Sequence, residues 1–419
     1  MANAVWLKDV YSEDIGIIGL KASRMSNLYQ NGFAIPYSFI LTIQANQYFL
    51  ENRGLMSRIK KVLAETDLNH NSVISASVSI QEMIQNSEIP DTIKEDMIYC
   101  YGHMNVDTDV LKMLNSKTLN FIKAGRDYPY LALRPSFNVP GLKAKYILNI
   151  KGKENLVYAI KNIYASMFSP ENIPIIKETN LENLGLAILI QKMVNSDKYA
   201  TINISNQRLS INCVYGLGES FSIGNPDSYI VDANSLELIS KINNKQDVMF
   251  IRDDNYGRTI RKNISQELAN KEKLSYEELR KVSNFSINVF NHLNKDIRVE
   301  LALENGKFYL IDVSDYVQES IVNDNINSMI QDNSQNMNQS PIVDQDMFSM
   351  FGNQDSAINQ QPQSYVVNNA QENVAKTQTS QNQISKVPIS FDIKITDATN
   401  VDELKSKLKA IKEFINQEF

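Results

Sequence analysis

Two acidic side chains, Glu300 and Asp312, sit in a stretch, Ile297–Ser314, whose alternating pattern otherwise asks for apolar or neutral residues. The stretch is expected to form two strands around Glu304-Asn305-Gly306, because Asn-Gly is a strong hairpin signal. Register decides what the carboxylates can do, since a slip of one residue turns every side chain to the opposite face. A two-residue turn at Asn305-Gly306 would separate Glu300 from Asp312. A three-residue loop from Glu304 to Gly306, with Gly306 left-handed, keeps them on one face, and the apolar pattern prefers it. Ile297, Val299, Leu301, Leu303, Tyr309, Ile311 and Val313 then share a buried face, leaving Arg298, Glu300, Asp312 and Ser314 on the other. Two carboxylates so placed suit a hard divalent cation.

Four further places carry groups that could act with them. Lys21 lies on a turn, Gly19-Leu20-Lys21, that leads into a helix. Arg134 ends a strand before Pro135-Ser136, Gln191-Lys192-Met193-Val194 closes an apolar strand, and Gly216-Leu217-Gly218-Glu219 follows another. Each is ordinary alone, and the Gly-Leu-Gly run is incomplete as a dinucleotide fingerprint. Periodicity predicts helices at Ser23–Gln30, Gln44–Asn52, Asn155–Phe168 and Tyr276–His292, with mostly helical sequence from Leu55 to Phe121. Strands are predicted at Phe39–Thr42, Tyr130–Arg134, Tyr146–Ile150, Ala187–Met193, Ala200–Ile204, Ser210–Val214 and Tyr229–Val231. That order predicts an α+β fold rather than a doubly wound parallel sheet.

The chain has 419 residues, 43% of them hydrophobic and 21% charged, as expected of a globular protein with room for a large core. A net charge of −6, with no basic cluster interleaved with aromatics, argues against nucleic acid as a partner. The two cysteines, Cys100 and Cys213, have no metal-ligand spacing. The N-terminal residues lack a secretory pattern and no apolar run could span a bilayer, so a cytoplasmic protein without membrane contact is expected. Residues 1–316 read as one folded domain with lobes of roughly 1–190 and 191–316. Residues 317–386, rich in Asn and Gln, read as a flexible linker, and 387–419 as a strand followed by an amphipathic helix too small to fold alone.

Taken in order, the motifs are specific. Gly19-Leu20-Lys21 is followed by Asn31-Gly32-Phe33-Ala34-Ile35-Pro36 and a strand to Thr42, then by Leu131–Ser136, Tyr164–Ile173, Gln191–Asp197, Tyr215–Glu219, Asn225–Asp232 and the Ile297–Ser314 hairpin. From about residue 4 to 316 the chain resembles the N-terminal, nucleotide-binding ATP-grasp domain of phosphoenolpyruvate synthase and pyruvate phosphate dikinase. The resemblance implies a two-lobed fold that holds ATP and Mg²⁺. Lys21 and Arg134 would neutralise phosphates, with Arg134 acting in catalysis as well. Gln191, Met193 and Val194 would meet the adenine, Glu219 would sit near the ribose or the lysine, and Glu300 and Asp312 would hold the metal.

The chain also departs from the pattern. Pro135 and Phe137 stand where the family has a small-residue phosphate loop, Asp312 replaces a glutamine, and Ser314 replaces an arginine. Arg298, where the family has aspartate, could return that charge. The histidines are His70, His103 and His292, none in the setting of the family's phosphohistidine. Two readings follow. One is an ATP-using phosphotransferase whose histidine acceptor lies on a separate partner recruited through the tail. The other is a catalytically degenerate relative, serving as a nucleotide sensor or an assembly protein that associates through 387–419.

Overall fold

A computed structural model describes residues 2–104, 128–205, 207–253 and 257–316. The chain divides into compact units Met1–Ser320 and Ile321–Phe419, and the described residues all belong to the first. The expected linker, the C-terminal strand and helix, and the end of the Leu55–Phe121 helical stretch lie outside the described residues.

The first half is built on a five-stranded sheet. Its strands are β1 (Ala4–Trp6), β2 (Ser38–Leu41), β3 (Leu131–Phe137), β4 (Ile147–Ile150) and β5 (Leu186–Lys192), in the order β1-β2-β5-β3-β4 and paired antiparallel throughout. Six residues of β5 are buried in succession, because this central strand is covered on both faces. Leu186, Ile188 and Ile190 enter a core shared with helices such as His70–Gln85 and Lys153–Ser166. Ala187 and Leu189 enter a second core under the helix α1 (Ile15–Gln30).

The second half carries a six-stranded antiparallel sheet. Its strands are β6 (Lys198–Ser205), β7 (Arg208–Tyr215), β8 (Asp227–Asp232), β9 (Leu238–Ile242), then β12 (Ile297–Glu304) and β13 (Lys307–Asp315), in the order β13-β12-β6-β7-β8-β9. Between β9 and β12 the chain makes a separate two-stranded hairpin, β10 (Val248–Asp253) with β11 (Arg258–Asn263). The helix Tyr276–Leu293 closes one face of the six-stranded sheet. Its start is fixed by a capping box in which Ser275 and Glu278 satisfy each other's backbone N–H groups. Leu279, Val282 and Val289 then fall on one stripe and pack with Val299, Leu301 and Ile202. The α+β class expected from the sequence is the class observed, and the antiparallel pairing excludes a doubly wound sheet.

Three expectations are corrected. Helix α1 begins at Ile15, not Ser23, and is broken at Gly19 (φ 74°, ψ 169°), so Lys21 stands in the first turn of the continuing helix. Strand β3 does not stop at Arg134 but runs through Pro135 to Phe137. Strand β4 pairs only with Leu131 and Leu133, so the N–H that Pro135 lacks is not missed by that neighbour. Strand β9 and the β10–β11 hairpin were not foreseen, because every residue of β9 is exposed and β11, rich in Arg and Lys, is largely exposed and shows no apolar alternation.

Candidate functional site

The C-terminal hairpin departs from its expected register and reaches the expected result. The turn is two residues, Asn305 and Gly306, both with positive φ (51° and 73°), pairing Glu304 with Lys307. A regular ladder from that turn would set Asp312 against Val299, in the core. Instead a bulge between Glu300 and Leu301 leaves Ile311 as an extra residue, and Glu300 pairs directly with Asp312. Leu310 therefore packs in the core with Leu301, whereas Tyr309 and Ile311 lie on the other face with Tyr199 and Val214. The expectation that Tyr309 and Ile311 share the face of Val299 was wrong. The bulge restored the carboxylates to one face.

That face forms one wall of a cavity of about 450 Å³. Lys21, Arg134, Gln191, Met193, Val194, Glu219, Glu300 and Asp312 all line it, so the structure brings these eight expected site residues to one cavity, whereas Ser314 does not line it. Lys21 is delivered by the break at Gly19, where a Cβ would lie 2.2 Å from the Ser136 carbonyl oxygen. The Ser136 hydroxyl ties the two segments, donating to the Ile18 carbonyl (2.8 Å) and accepting from the Ala22 N–H (3.0 Å). Lys21 reaches across to form an ion pair with Asp312 Oδ2, and Asp312 Oδ1 accepts from the Val313 N–H at 2.8 Å. Burial pushes the Asp312 carboxyl up, but Lys21 and Arg134 outweigh it and hold the group below the usual aspartate value.

Arg134 is half-buried near Tyr199 and the carboxylates of Asp312 and Glu300. Burial opposes its charge, yet Tyr199, Asp312 and Glu300 more than compensate, so the guanidinium is held firmly protonated. Its Nε donates to Gln191 Oε1 at 3.0 Å, and the buried Gln191 Nε2 has no protein partner. Glu300 Oε2 accepts from the Tyr199 hydroxyl at 2.6 Å, and Glu300 Oε1 lies 3.8 Å from Arg298 Nε. Arg298 also lines the cavity and is the direct cross-strand partner of the exposed Ser314.

At the other end of the cavity Met193 takes its N–H to the Tyr130 carbonyl (2.8 Å) and its sulfur accepts from the Asn149 N–H (3.2 Å). Glu219 faces Thr259 Oγ1 on β11 at 3.5 Å, and Thr259 in turn bonds Asn149. Burial raises the Glu219 carboxyl, an effect only partly offset by its own backbone N–H, Arg134 and Thr259. Sequence reasoning missed Tyr199, Asn149 and Thr259 as parts of this site. The last two come from strands whose contact has no local signature. Tyr199 gave one signal, as an aromatic on an alternating strand at a position in step with Thr201, Asn203 and Ser205.

The pyruvate phosphate dikinase AMP/ATP-binding domain family matches residues 15–314. The chain belongs to that family. Residues 15–314 therefore form an AMP/ATP-binding domain, and the cavity described lies within it. Relatives include the probable phosphoenolpyruvate synthase of Methanocaldococcus jannaschii, 28% identical over 321 residues, covering 73% of this chain and 26% of that protein. The probable phosphoenolpyruvate synthase of Methanothermobacter thermautotrophicus is 25% identical (73% and 45% covered), and the phosphoenolpyruvate synthase of Aquifex aeolicus 25% (77% and 38%). The chain thus spans from a quarter to under half the length of these relatives. Among solved structures, D-alanyl-alanine synthetase A from Vibrio cholerae aligns at 10% identity and TM-score 0.25, covering 71% of this chain and 58% of the other. D-alanine–D-alanine ligase from Bacillus anthracis complexed with ATP aligns at 16% and 0.21, covering 48% and 46%. These likenesses are too weak to bear on the site. Among the described residues no helix is long and apolar enough to cross a membrane.

Proposed function

We propose that the cavity binds Mg-ATP and that the domain transfers a phosphoryl group to a histidine on a separate acceptor protein. The observation that carries this reading is the convergence of Lys21, Arg134 and Arg298 with Glu300 and Asp312 at one end of the cavity. Three cations around two carboxylates suit a polyphosphate that brings its own metal.

The donor set fits Mg²⁺. Glu300 and Asp312 are cross-strand partners on one face, and no group of three or more His, Cys, Asp or Glu residues converges among the described residues. Two carboxylates do not cage a cation, but Mg²⁺ is held this way when phosphate oxygens and water complete its shell. When bound, the metal would neutralise phosphate charge as the terminal group is transferred. Lys21 would leave Asp312 to meet the phosphates as a mobile point charge, while Arg134, fixed by Gln191, would present a planar fork. Gln191, Met193 and Val194 would contact the base, and Glu219 would meet the ribose. Arg298, opposite Ser314, supplies from the neighbouring strand the cation that the family resemblance places at 314.

A second reading, nucleotide sensing without transfer, draws on Pro135 and Phe137. Both line the cavity, and Pro135 offers no N–H to a phosphate. One pair of measurements separates the readings. Binding to the native state must raise the melting temperature in a Mg-ATP titration. No shift at millimolar Mg-ATP, with Lys21→Ala equally silent, overturns binding. A shift together with AMP or ADP formation when a histidine-bearing acceptor domain is added supports transfer. A shift without turnover supports sensing.

A further inference from the structure

Tyr199 is held with its hydroxyl against one carboxylate of the site, that of Glu300. It is the second residue of β6, where it pairs with Val214 and Ala302, and it shares a face with Thr201, the cross-strand partner of Glu300. The ring is 9% exposed, packs edge-on to Phe221 at 6.4 Å, and sits with Val214, Ala302 and Ile311. Gly218 lies against the ring, where a Cβ would come within 3.1–3.2 Å of three ring carbons. From this packed position at the cavity wall, the phenol donates to Glu300 Oε2 at 2.6 Å. Glu300 Oε1 is not so committed, since its nearest cationic partner, Arg298 Nε, stands at 3.8 Å, beyond hydrogen-bond distance. Asp312 is arranged alike, with Oδ1 accepting from the Val313 N–H and Oδ2 turned to Lys21.

We propose that Tyr199 is a positioning residue that makes Glu300 a one-oxygen ligand, so that the site favours Mg²⁺ over the larger Ca²⁺. This rests on the Mg-ATP reading above and adds a role and a selectivity to it. A carboxylate oxygen that already accepts from a phenol is the poorer donor to a cation, which leaves the other oxygen as the favoured ligand atom. Mg²⁺ takes single oxygens in a small octahedral shell, whereas Ca²⁺ accepts six to eight ligands and is well served by a bidentate carboxylate. The phenol also fixes the direction from which Glu300 approaches, as outer-shell partners of metal ligands do.

The test is ATP binding by calorimetry to the full chain in three conditions: Mg²⁺, Ca²⁺, and excess EDTA. The wild type is expected to bind Mg-ATP about tenfold or more tighter than Ca-ATP. Tyr199→Phe is expected to lower Mg-ATP affinity by about tenfold, the scale of outer-shell losses, and to bring Ca-ATP within about threefold of Mg-ATP. Affinity in EDTA should stay within about twofold, because the phenol acts through the metal. Gly218→Ala keeps the hydroxyl but crowds the ring away from Glu300, so it should shift the Mg²⁺ and Ca²⁺ values in the same directions if Tyr199→Phe fails to fold. Unchanged Mg²⁺ preference in a folded variant overturns the proposal, as does an equal loss in all three conditions. A wild type that binds ATP without any metal effect overturns the proposal and the metal role of Glu300 together. A wild type that binds no ATP overturns the nucleotide reading itself.

Discussion

Glu300 and Asp312 are direct partners across β12 and β13 only because Ile311 is inserted between the turn and Asp312. The Asn305-Gly306 turn alone would have aimed Asp312 into the core beside Val299. The bulge turns it into the cavity, and Ile311 fills the small apolar cluster around Tyr199. Lys21 then completes the arrangement from a different part of the chain.

Replacing Lys21 with Met should weaken ATP binding by about tenfold or more, through loss of a phosphate-facing charge. It should also change acid stability. The Asp312 pKa is lowered in the folded protein, so its contribution is fully present above the unfolded value near 3.8 and is lost as pH falls through the folded value. In Lys21→Met the folded pKa rises toward the unfolded value, so the variant should already be less stable at neutral pH and should lose less further stability as pH falls. Melting temperatures measured from pH 7 down to pH 3 compare the two, and coincident acid limbs would contradict the ion pair's role.

Gly19→Ala places a Cβ 2.2 Å from the Ser136 carbonyl oxygen at φ 74°. Strain at such a position costs about 1–3 kcal/mol, and relief requires α1 to move from β3, carrying Lys21 with it. Urea unfolding should show the loss in stability, and ATP titration should show weakened binding. Gly306→Ala, with open space around its Cβ, should lose stability from its φ alone and by less.

Arg298 and Ser314 can exchange roles if the cation's position, rather than its strand, is what the site requires. Arg298→Ser should reduce phosphoryl transfer by about 10²–10³, as for removal of a single stabilising charge. Adding Ser314→Arg to that variant should recover most of the loss, since the two residues face each other across the hairpin. Transfer rates with a histidine-bearing acceptor provide the measure, and a double variant as poor as Arg298→Ser would refute the exchange.

Lys273 and Asp227 form a fully buried ion pair at 2.6 Å beneath the second sheet. Asp227 also accepts from the backbone N–H groups of Asn244 and Lys273 and from the Tyr229 hydroxyl. Lys273→Met should destabilise the domain by about 3–5 kcal/mol, because it leaves an uncompensated buried carboxylate. Lys273→Met combined with Asp227→Asn should be more stable than Lys273→Met alone, and chemical denaturation of both variants tests this.

Much of the site was legible because its residues stand at the ends of strongly patterned elements. Lys21 lies two residues after a glycine, Arg134 and Gln191 lie on adjacent apolar strands, and Glu300 interrupts an alternation; ordinary singly, they were marked by the order in which their motifs occur. Less was legible where the pattern was weak. Strand β9 is exposed at every position, and the β10–β11 hairpin is half-buried, so neither carries a face that hydrophobicity could reveal. Glycine at position 19 suggested a turn, whereas the structure uses its positive φ to break a helix and bring the backbone against Ser136.

The sequence by itself determined the α+β class and the buried strands, because those follow from local periodicity, and through the resemblance of its ordered motifs it pointed to groups that now line one cavity. Only the tertiary structure decided how the groups meet. The Ile311 bulge sets the partner of Asp312, Lys21 reaches it from nearly 300 positions away in the chain (Lys21 to Asp312, 291 apart), and Tyr199 occupies one oxygen of Glu300. Register shifts and contacts between distant segments arise from packing the two sheets and α1 around a shared core. No short window of sequence encodes that packing.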